Sequence, residues 1–308
     1  QKPYYTLSDA VFQLGPRINA AGRIADAKQA VRLLSCSTQS EALEIAKLID
    51  VHNDERREHD SDITEQALAQ LESGQDFKTR KSTVVFNEGW HKGVIGIVAS
   101  RLTEKYYRPT VVLTQSNGLV AGSARSVLGF DLYEALLGCT DLLEQFGGHK
   151  YAAGLTMKAE NVPAFQQRFE EVVSATIPED LLVQEISIDS PLNLAQIDAK
   201  FFRILSQFEP FGPKNMSPVF MASGVELAGA IGIVGDKHLK MQVKQGDSAV
   251  FDCIGFGLGK LKEVLLRINS FDMCFSIEEN SWKDRRNIQL NIKDIRILEG
   301  PSEGTNVL

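Results

Sequence analysis

The sequence is poor in the residues that build metal and disulfide sites. Its 308 residues include four cysteines and five histidines. Cys36, Cys139, Cys253 and Cys274 never come within a Cys-x-x-Cys spacing, which excludes a zinc ribbon and a thioredoxin-type redox pair. Each lies among apolar neighbours, so buried thiols in a reducing compartment are expected. No apolar run approaches the ~20 residues that span a membrane, and no secretory leader is recognisable. A cytoplasmic protein without membrane contact is therefore expected. Basic charge is not in excess either. The net charge of −7 excludes a chain that coats nucleic acid along its whole length but leaves room for a local basic groove. The chain opens at Gln1, in the middle of a pattern, as a fragment or a processed product would.

Apolar residues make up 43% of the chain, enough for a sizeable core, and the length suits about two domains. Charge is unevenly spread. Residues 76–178 carry a net +1, whereas residues 1–75 and 179–308 each carry −4.

Apolar spacing of three and four predicts helix over 25–50 and on to Leu71. The charged middle of that run, "HNDERREHDSD", makes it polar nearly all round, as in a helix that connects two bodies. Its His52 and His59 share a helix face about 10 Å apart, too far for one metal, so a solvated charged face is expected. "STVVF", "PTVVLTQ", "GLVAGSAR" and "AAGLTM" read as strands. They alternate with helical "KGVIGIVASRLTEKYY", "DLYEALLGCTDLLEQF" and "VPAFQQRFEEVVSAT", which predicts an α/β domain. Beyond Pro178 the texture turns to period-two runs, from "VQEISID" to "NIQLNIKDIRIL", with short helices near 198–208 and 258–267. About five strands predict a small all-β barrel of the OB type. The fold class is thus α/β plus all-β. The divisions are 1–39, a connecting helix over 40–75, the α/β domain over 76–180 and the barrel over 181–308.

Several stretches carry candidate chemistry. "EQFGGHKYAAGLTM" places His149 after Gly147 and Gly148. Glycine lets backbone approach a ligand, and histidine titrates near neutrality. The same stretch also fits a plain turn with His149 at a strand edge. "FQLGPRINAAGRIAD" sets Arg17 and Arg23 around Asn19 in a small-residue loop at a helix start. Guanidinium groups suit phosphate, and solvated arginines are the other reading. In "VAGSARS", Ser123 and Arg125 stand two apart on a strand and so point to one face, as a phosphate pair or an exposed strand end. "NEGWHKGVIG" puts Trp90 and His91 at the mouth of a helix, where anions are favoured; a tryptophan there either stacks on a base or lies half-buried. Gly93 and Gly96 are expected to let this helix pack closely on the sheet.

Together, "SDAVFQLGPRINAAGR", "GWHKGVIGIVASRL", "GSARS", "FGGHKYAAGLTM" and "LSQFEPFGPKNMSPVF" resemble blocks of the RecJ family, in the same order. These are single-strand-specific 5′-to-3′ DNA exonucleases of the DHH phosphodiesterase superfamily. Gly-Gly-His-x-x-Ala-Ala-Gly resembles the mark of the DHH-associated domain. The resemblance implies a DHH-domain remnant, a connecting helix, a DHH-associated domain and an OB-fold. It implies that His149 donates to the scissile phosphate. It further implies that Ser123 and Arg125 hold the 5′ phosphate, that Arg17, Asn19 and Arg23 contact the strand, and that Gly147 and Gly148 admit the backbone. Weaker nucleic-acid candidates are Trp90, His91, Lys214, Lys237 and Lys240, with Phe208, Phe211, His238 and Trp282 beside them on the barrel. The family's Mn2+ or Mg2+ ligands lie on an Asp-His-His motif that this sequence lacks. No metal held by these residues, and no hydrolysis by this chain alone, is therefore expected, and residues 1–40 are expected to fray and expose apolar surface. The implied partner is single-stranded DNA in repair and recombination, with a single-strand-binding protein or helicase nearby and the chain a monomer. The alternatives are a DHH-family hydrolase of short oligoribonucleotides or cyclic dinucleotides, and a non-catalytic single-strand-binding module.

Overall fold

A computed structural model describes residues 5, 7–74, 76–212, 214–235, 237–282 and 285–297. The chain divides into two units, with the boundary between Gln184 and Glu185.

The first unit begins with helices. α1 (Leu7–Asp9) runs through a π-helical turn, Ala10–Leu14, into α2 (Gly15–Ile24), followed by α3 (Lys28–Ser35). The "GPRINAAGR" segment is thus helix rather than loop. Pro16 sits in the first turn, where a missing N–H breaks no bond. Ala21 and Ala30 are buried against Ile49 of α4 (Gln39–Glu72). These helices leave Phe12 and Leu34 largely exposed. α4 starts where the Thr38 hydroxyl accepts the Glu41 N–H. It is not polar all round: Ile49, Asn53, Asp60, Ile63, Ala67 and Leu71 form one buried stripe.

The solvated reading of the charged run is corrected at Asp60. Its carboxylate is 2% exposed and accepts Arg101 Nη2 at 2.7 Å, with Arg56 Nη1 at 3.7 Å. Arg101 comes from α5 (Ile95–Tyr106), which lies against this stretch of α4.

Next comes a five-stranded sheet in the order β1-β2-β3-β5-β4. β1 (Thr83–Phe86) and β2 (Thr110–Ser116) are parallel, joined through α5. β3 (Leu119–Arg125), β4 (Gln145–His149) and β5 (Ala152–Met157) add antiparallel. Asn117 and Gly118, both at positive φ, turn β2 into β3. α6 (Leu132–Leu137) is shorter than its apolar pattern suggests, and Thr140–Leu142 follows as a separate 3₁₀ turn. Gly147-Gly148-His149 is edge strand rather than turn; the chain reverses at Lys150 and Tyr151. α7 (Val162–Thr176) covers one face with Phe165 and Phe169. Glu170 ties α7 to the head of β1, accepting the Lys81 and Ser82 N–H groups at 2.9 Å and the Ser82 hydroxyl at 2.5 Å. Burial alone would raise its carboxyl, but these bonds and the Ser174 hydroxyl outweigh that and hold it below the usual range.

In the second unit, β7 (Phe220–Val234), β8 (His238–Lys244), β9 (Phe251–Gly255), β10 (Phe271–Trp282) and β11 (Arg285–Arg296) form one sheet. Its order is β10-β11-β9-β8-β7 followed by the two-residue β6 (Ser190–Pro191), and β10 also pairs with β7, so the five long strands close into a ring. β7 serves both neighbours by using Phe220–Val225 for β10 and Glu226–Val234 for β8, with a register shift between Leu227 and Ile231. The core holds Leu239, Leu265, Phe271, Phe275 and Leu290. α8 (Ala199–Leu205) precedes the ring, and α9 (Lys262–Leu265) stands between β9 and β10. The strand expected at "VQEISID" is not formed; only β6 (Ser190–Pro191) pairs, with β7. Asp189 instead uses its carboxylate and N–H on Val219.

Asp60→Ala strands two cations around a buried gap. It is expected to destabilise the first unit by about 3 kcal/mol in urea titration, whereas exposed Asp54→Ala stays within about 0.5 kcal/mol. Glu170 contributes stability fully above the unfolded glutamate pKa of about 4.3 and loses it as pH falls through the lower folded value. Glu170→Gln should therefore flatten the acid limb of the stability profile below about pH 4.5.

Candidate phosphate and nucleic-acid cleft

Directly opposed residues of an antiparallel ladder share a face. The register of β3, β5 and β4 therefore sets three rows on one face: Ala121–Thr156–Gln145, Ser123–Gly154–Gly147 and Arg125–Ala152–His149. Val112, the β2 partner of Ser123, is buried with Val98 and Ala99, so this is the face that α5 covers. The β5–β4 end extends past α5. There Gly154 and Gly147 leave a floor of bare backbone, and at Gly147 an added methyl would meet nothing. A cleft of about 560 Å³ opens over it, walled by Arg23, Lys92, Gly96, Ser123 and Arg125.

Its wall residues include three cations and no carboxylate. The Arg125 guanidinium is half-buried, and its Nη1 donates to Ala124 O at 2.7 Å and Ser123 Oγ at 3.2 Å. Burial, and then the charge of Arg23, pull Arg125 below its ordinary pKa. Gly96 makes room for the pair: a Cβ there would lie 3.0 Å from Ser123 Oγ and 3.2 Å from Arg125 Nη2. Arg23, in the last turn of α2, reaches over from the other side and donates to Gly93 O at 3.0 Å. Guanidinium groups beside a hydroxyl and the first turn of a helix suit a phosphate dianion.

His149 is exposed on the same face, in the row of Arg125 and two strand spacings, about 10 Å, away. Its Nδ1 accepts the Tyr151 N–H at 3.3 Å. The neutral ring therefore carries its proton on Nε2, which is left free to donate. Gly148 is needed for close approach, since a Cβ there would run into the Ala152 carbonyl.

Family models match in two places: the DHHA1 domain over residues 80–175 and the RecJ OB domain over residues 188–294. The single-stranded-DNA-specific exonuclease RecJ of Bacillus subtilis is 37% identical over 94% of this chain, which spans 37% of that protein. The Escherichia coli enzyme is 31% identical over 94% of the chain, which spans 51% of it. Thermus thermophilus RecJ, solved with Mg2+, superposes with a TM-score of 0.82 at 28% identity, covering 97% of this chain and 45% of that one. The chain belongs to the RecJ family. It spans about half or less of the length of these RecJ relatives.

The other residues singled out in this RecJ-family chain fall in different places. Arg17 does not reach the cleft: its Nε bonds Asp50 at 2.7 Å and its Nη1 the Gln13 carbonyl, fastening α2. Asn19 is exposed on α2, outside the cleft wall. Six residues turn a helix by about 240°, so Arg17 and Arg23 face different ways. Trp90 is corrected: it is 5% exposed, with Nε1 donating to Gln66 at 2.9 Å, and is core rather than a base-stacking ring. His91 does not wall the cleft either; it stacks on His59, with ring centroids 5.1 Å apart. Lys214, Lys237 and Lys240 are exposed on the second unit, as is Phe208, while the side chain of Trp282 lies outside the described residues. Sequence reasoning missed Lys92, Gln145 and Thr156 as wall residues. Gln145 had a signal, since it precedes Gly147 and His149 at strand parity.

Among the described residues, no group of three or more His, Cys, Asp or Glu side chains is placed to hold a metal ion. Asp60 is committed to its arginines. Cys139, Cys253 and Cys274 are buried free thiols, and burial pushes Cys139 up to about 11. Among the described residues no helix is long and apolar enough to cross a membrane.

The Tyr151 contact makes a spectroscopic claim. Nitrogen-15 correlation spectra at pH 8 are expected to show His149 as the Nε2–H tautomer, and an Nδ1–H pattern would remove its free donor.

Proposed function

We propose that this chain is the substrate-holding C-terminal part of a RecJ-type 5′-to-3′ exonuclease acting on single-stranded DNA. One observation carries the reading: a cationic cleft with no acid in its wall shares a sheet face with an exposed histidine. In this reading Arg23, Arg125 and Ser123 bind the terminal 5′ phosphate. The sugar–phosphate backbone crosses the floor at Gly147 and Gly154, where no side chain intervenes. His149 Nε2–H then faces the next phosphate and donates as negative charge grows on its oxygen.

The Thermus RecJ structures hold Mg2+ or Mn2+. In a nuclease such ions activate water and stabilise the leaving oxygen. The described residues do not fit such an ion, so this chain's part is to bind, orient and donate a hydrogen bond. In the second unit the His238 and Phe256 rings meet at 5.1 Å, and Phe256 is 60% exposed. Lys240 lies beside them on β8, opposite Gly232. Exposed rings and lysines of this kind suit stacked bases and phosphates of a strand. In a cell the activity would belong to cytoplasmic DNA repair and recombination.

Labelled single-stranded DNA with either a 5′ phosphate or a 5′ hydroxyl, incubated with the chain and Mn2+, tests both halves of this reading. Binding without degradation, stronger for the phosphorylated end, is expected. Arg125→Ala should lower affinity for the phosphorylated strand by about tenfold or more and leave the hydroxyl strand within about twofold. Equal losses on the two strands would refute the end-pocket role. Degradation that survives repurification and vanishes in His149→Ala would show that a metal centre had been overlooked.

A further inference from the structure

Arg23 is exposed, and its only hydrogen bond among the described residues goes to the Gly93 carbonyl, at 3.0 Å. Its position opposite Ser123 and Arg125 therefore depends on where that carbonyl points. Gly93 itself is held at its N–H, one peptide plane before that carbonyl. The Gly93 N–H donates to His91 Nδ1 at 3.1 Å, which requires that nitrogen to be unprotonated. The His91 ring is fixed in turn by stacking on His59 of α4 at an interplanar angle of 19°. Burial, and then His59, hold His91 below the usual histidine pKa, which accords with the unprotonated Nδ1 that the Gly93 bond needs.

The surrounding loop has little slack. Trp90 O accepts the Thr114 hydroxyl at 2.6 Å, and the Trp90 indole is bonded to Gln66. The end of α2 presses directly on the loop. A methyl on Gly93 would collide with the Arg23 carbonyl oxygen and lie 3.1 Å from His91 Cε1. Arg23 and Arg125 repel one another, so an untethered Arg23 would relax into water rather than stay over the cleft.

We infer that His91 is a positioning residue: through Gly93 it holds Arg23 over the cleft and so sets the preference for a phosphorylated end over a hydroxyl end. The inference rests on the phosphate reading above. It reassigns His91 from nucleic-acid contact to support, and it explains why histidine and glycine stand two apart in "WHKG".

The readout is the ratio of affinities for 5′-phosphorylated and 5′-hydroxyl single-stranded oligonucleotides, measured by fluorescence anisotropy on the whole chain. His91→Phe keeps a ring to stack on His59 but removes the acceptor, and it should lower the ratio about tenfold. His91→Asn, whose side-chain oxygen can accept the Gly93 N–H, should keep the ratio within about twofold of wild type. Gly93→Ala should lower it as His91→Phe does. In an Arg23→Ala background, His91→Phe should change the ratio no further. A ratio left intact by His91→Phe, or lowered equally with and without Arg23, overturns the relay while the phosphate reading stands. A wild-type chain with no preference for the phosphate overturns both. If thermal melting shows that His91→Phe does not fold, His91→Leu, which also lacks the acceptor, takes its place, and a full ratio in that variant refutes the relay.

Discussion

The candidate site depends on keeping two like charges together. Arg23 and Arg125 belong to one cleft whose wall has no carboxylate to compensate them. Each is anchored by neutral oxygens instead, Arg125 by Ala124 O and Ser123 Oγ and Arg23 by Gly93 O. Neutral acceptors orient a guanidinium without cancelling its charge, so the full field remains for an anion. Gly93 lets the end of α2 come close to the loop before α5, and Gly96 lets α5 lie against Ser123 and Arg125 of β3.

The sheet supplies the second requirement, a common face. Pleat parity brings Ser123, Arg125 and His149 to one side of β3, β5 and β4, and the ladder sets the spacing between the arginine and the histidine. That geometry needs a rigid sheet, and the Phe165 and Phe169 layer behind it provides one. The bare floor between them follows from Gly147 and Gly154 being direct partners in the ladder.

Much of the fold was legible from periodicity. The long helix expected over residues 40–75 is formed at Gln39–Glu72, and the alternating runs after Phe220 became paired strands. Local patterns succeed there because one face of each element is buried and the other is wet. They failed where burial came from a distant partner. Asp60 lies in a run that looks solvated, yet Arg101 folds over it from 41 residues away. Trp90 resembles an exposed mouth residue, but Gln66 and Thr114 enclose it. "VQEISID" alternates like a strand, but only its last residue, Asp189, bonds a neighbouring segment, so no ladder forms along it.

By itself, the sequence determined the chemical kinds present and their order along the chain. Ser123 and Arg125 share a face because they stand two apart on a strand, and that parity needs no knowledge of the rest of the molecule. The glycines that permit close approach are likewise written in the sequence. Only the tertiary structure decided between Arg17 and Arg23. Both sit on one helix, and which of them faces the cleft depends on how α2 is seated against α4 and the loop before α5. Only the tertiary structure gave His91 its stacking partner, since His59 lies 32 residues away on α4. Local pattern sets a side chain's face on its own element, whereas the groups opposite that face are set by packing of the whole unit.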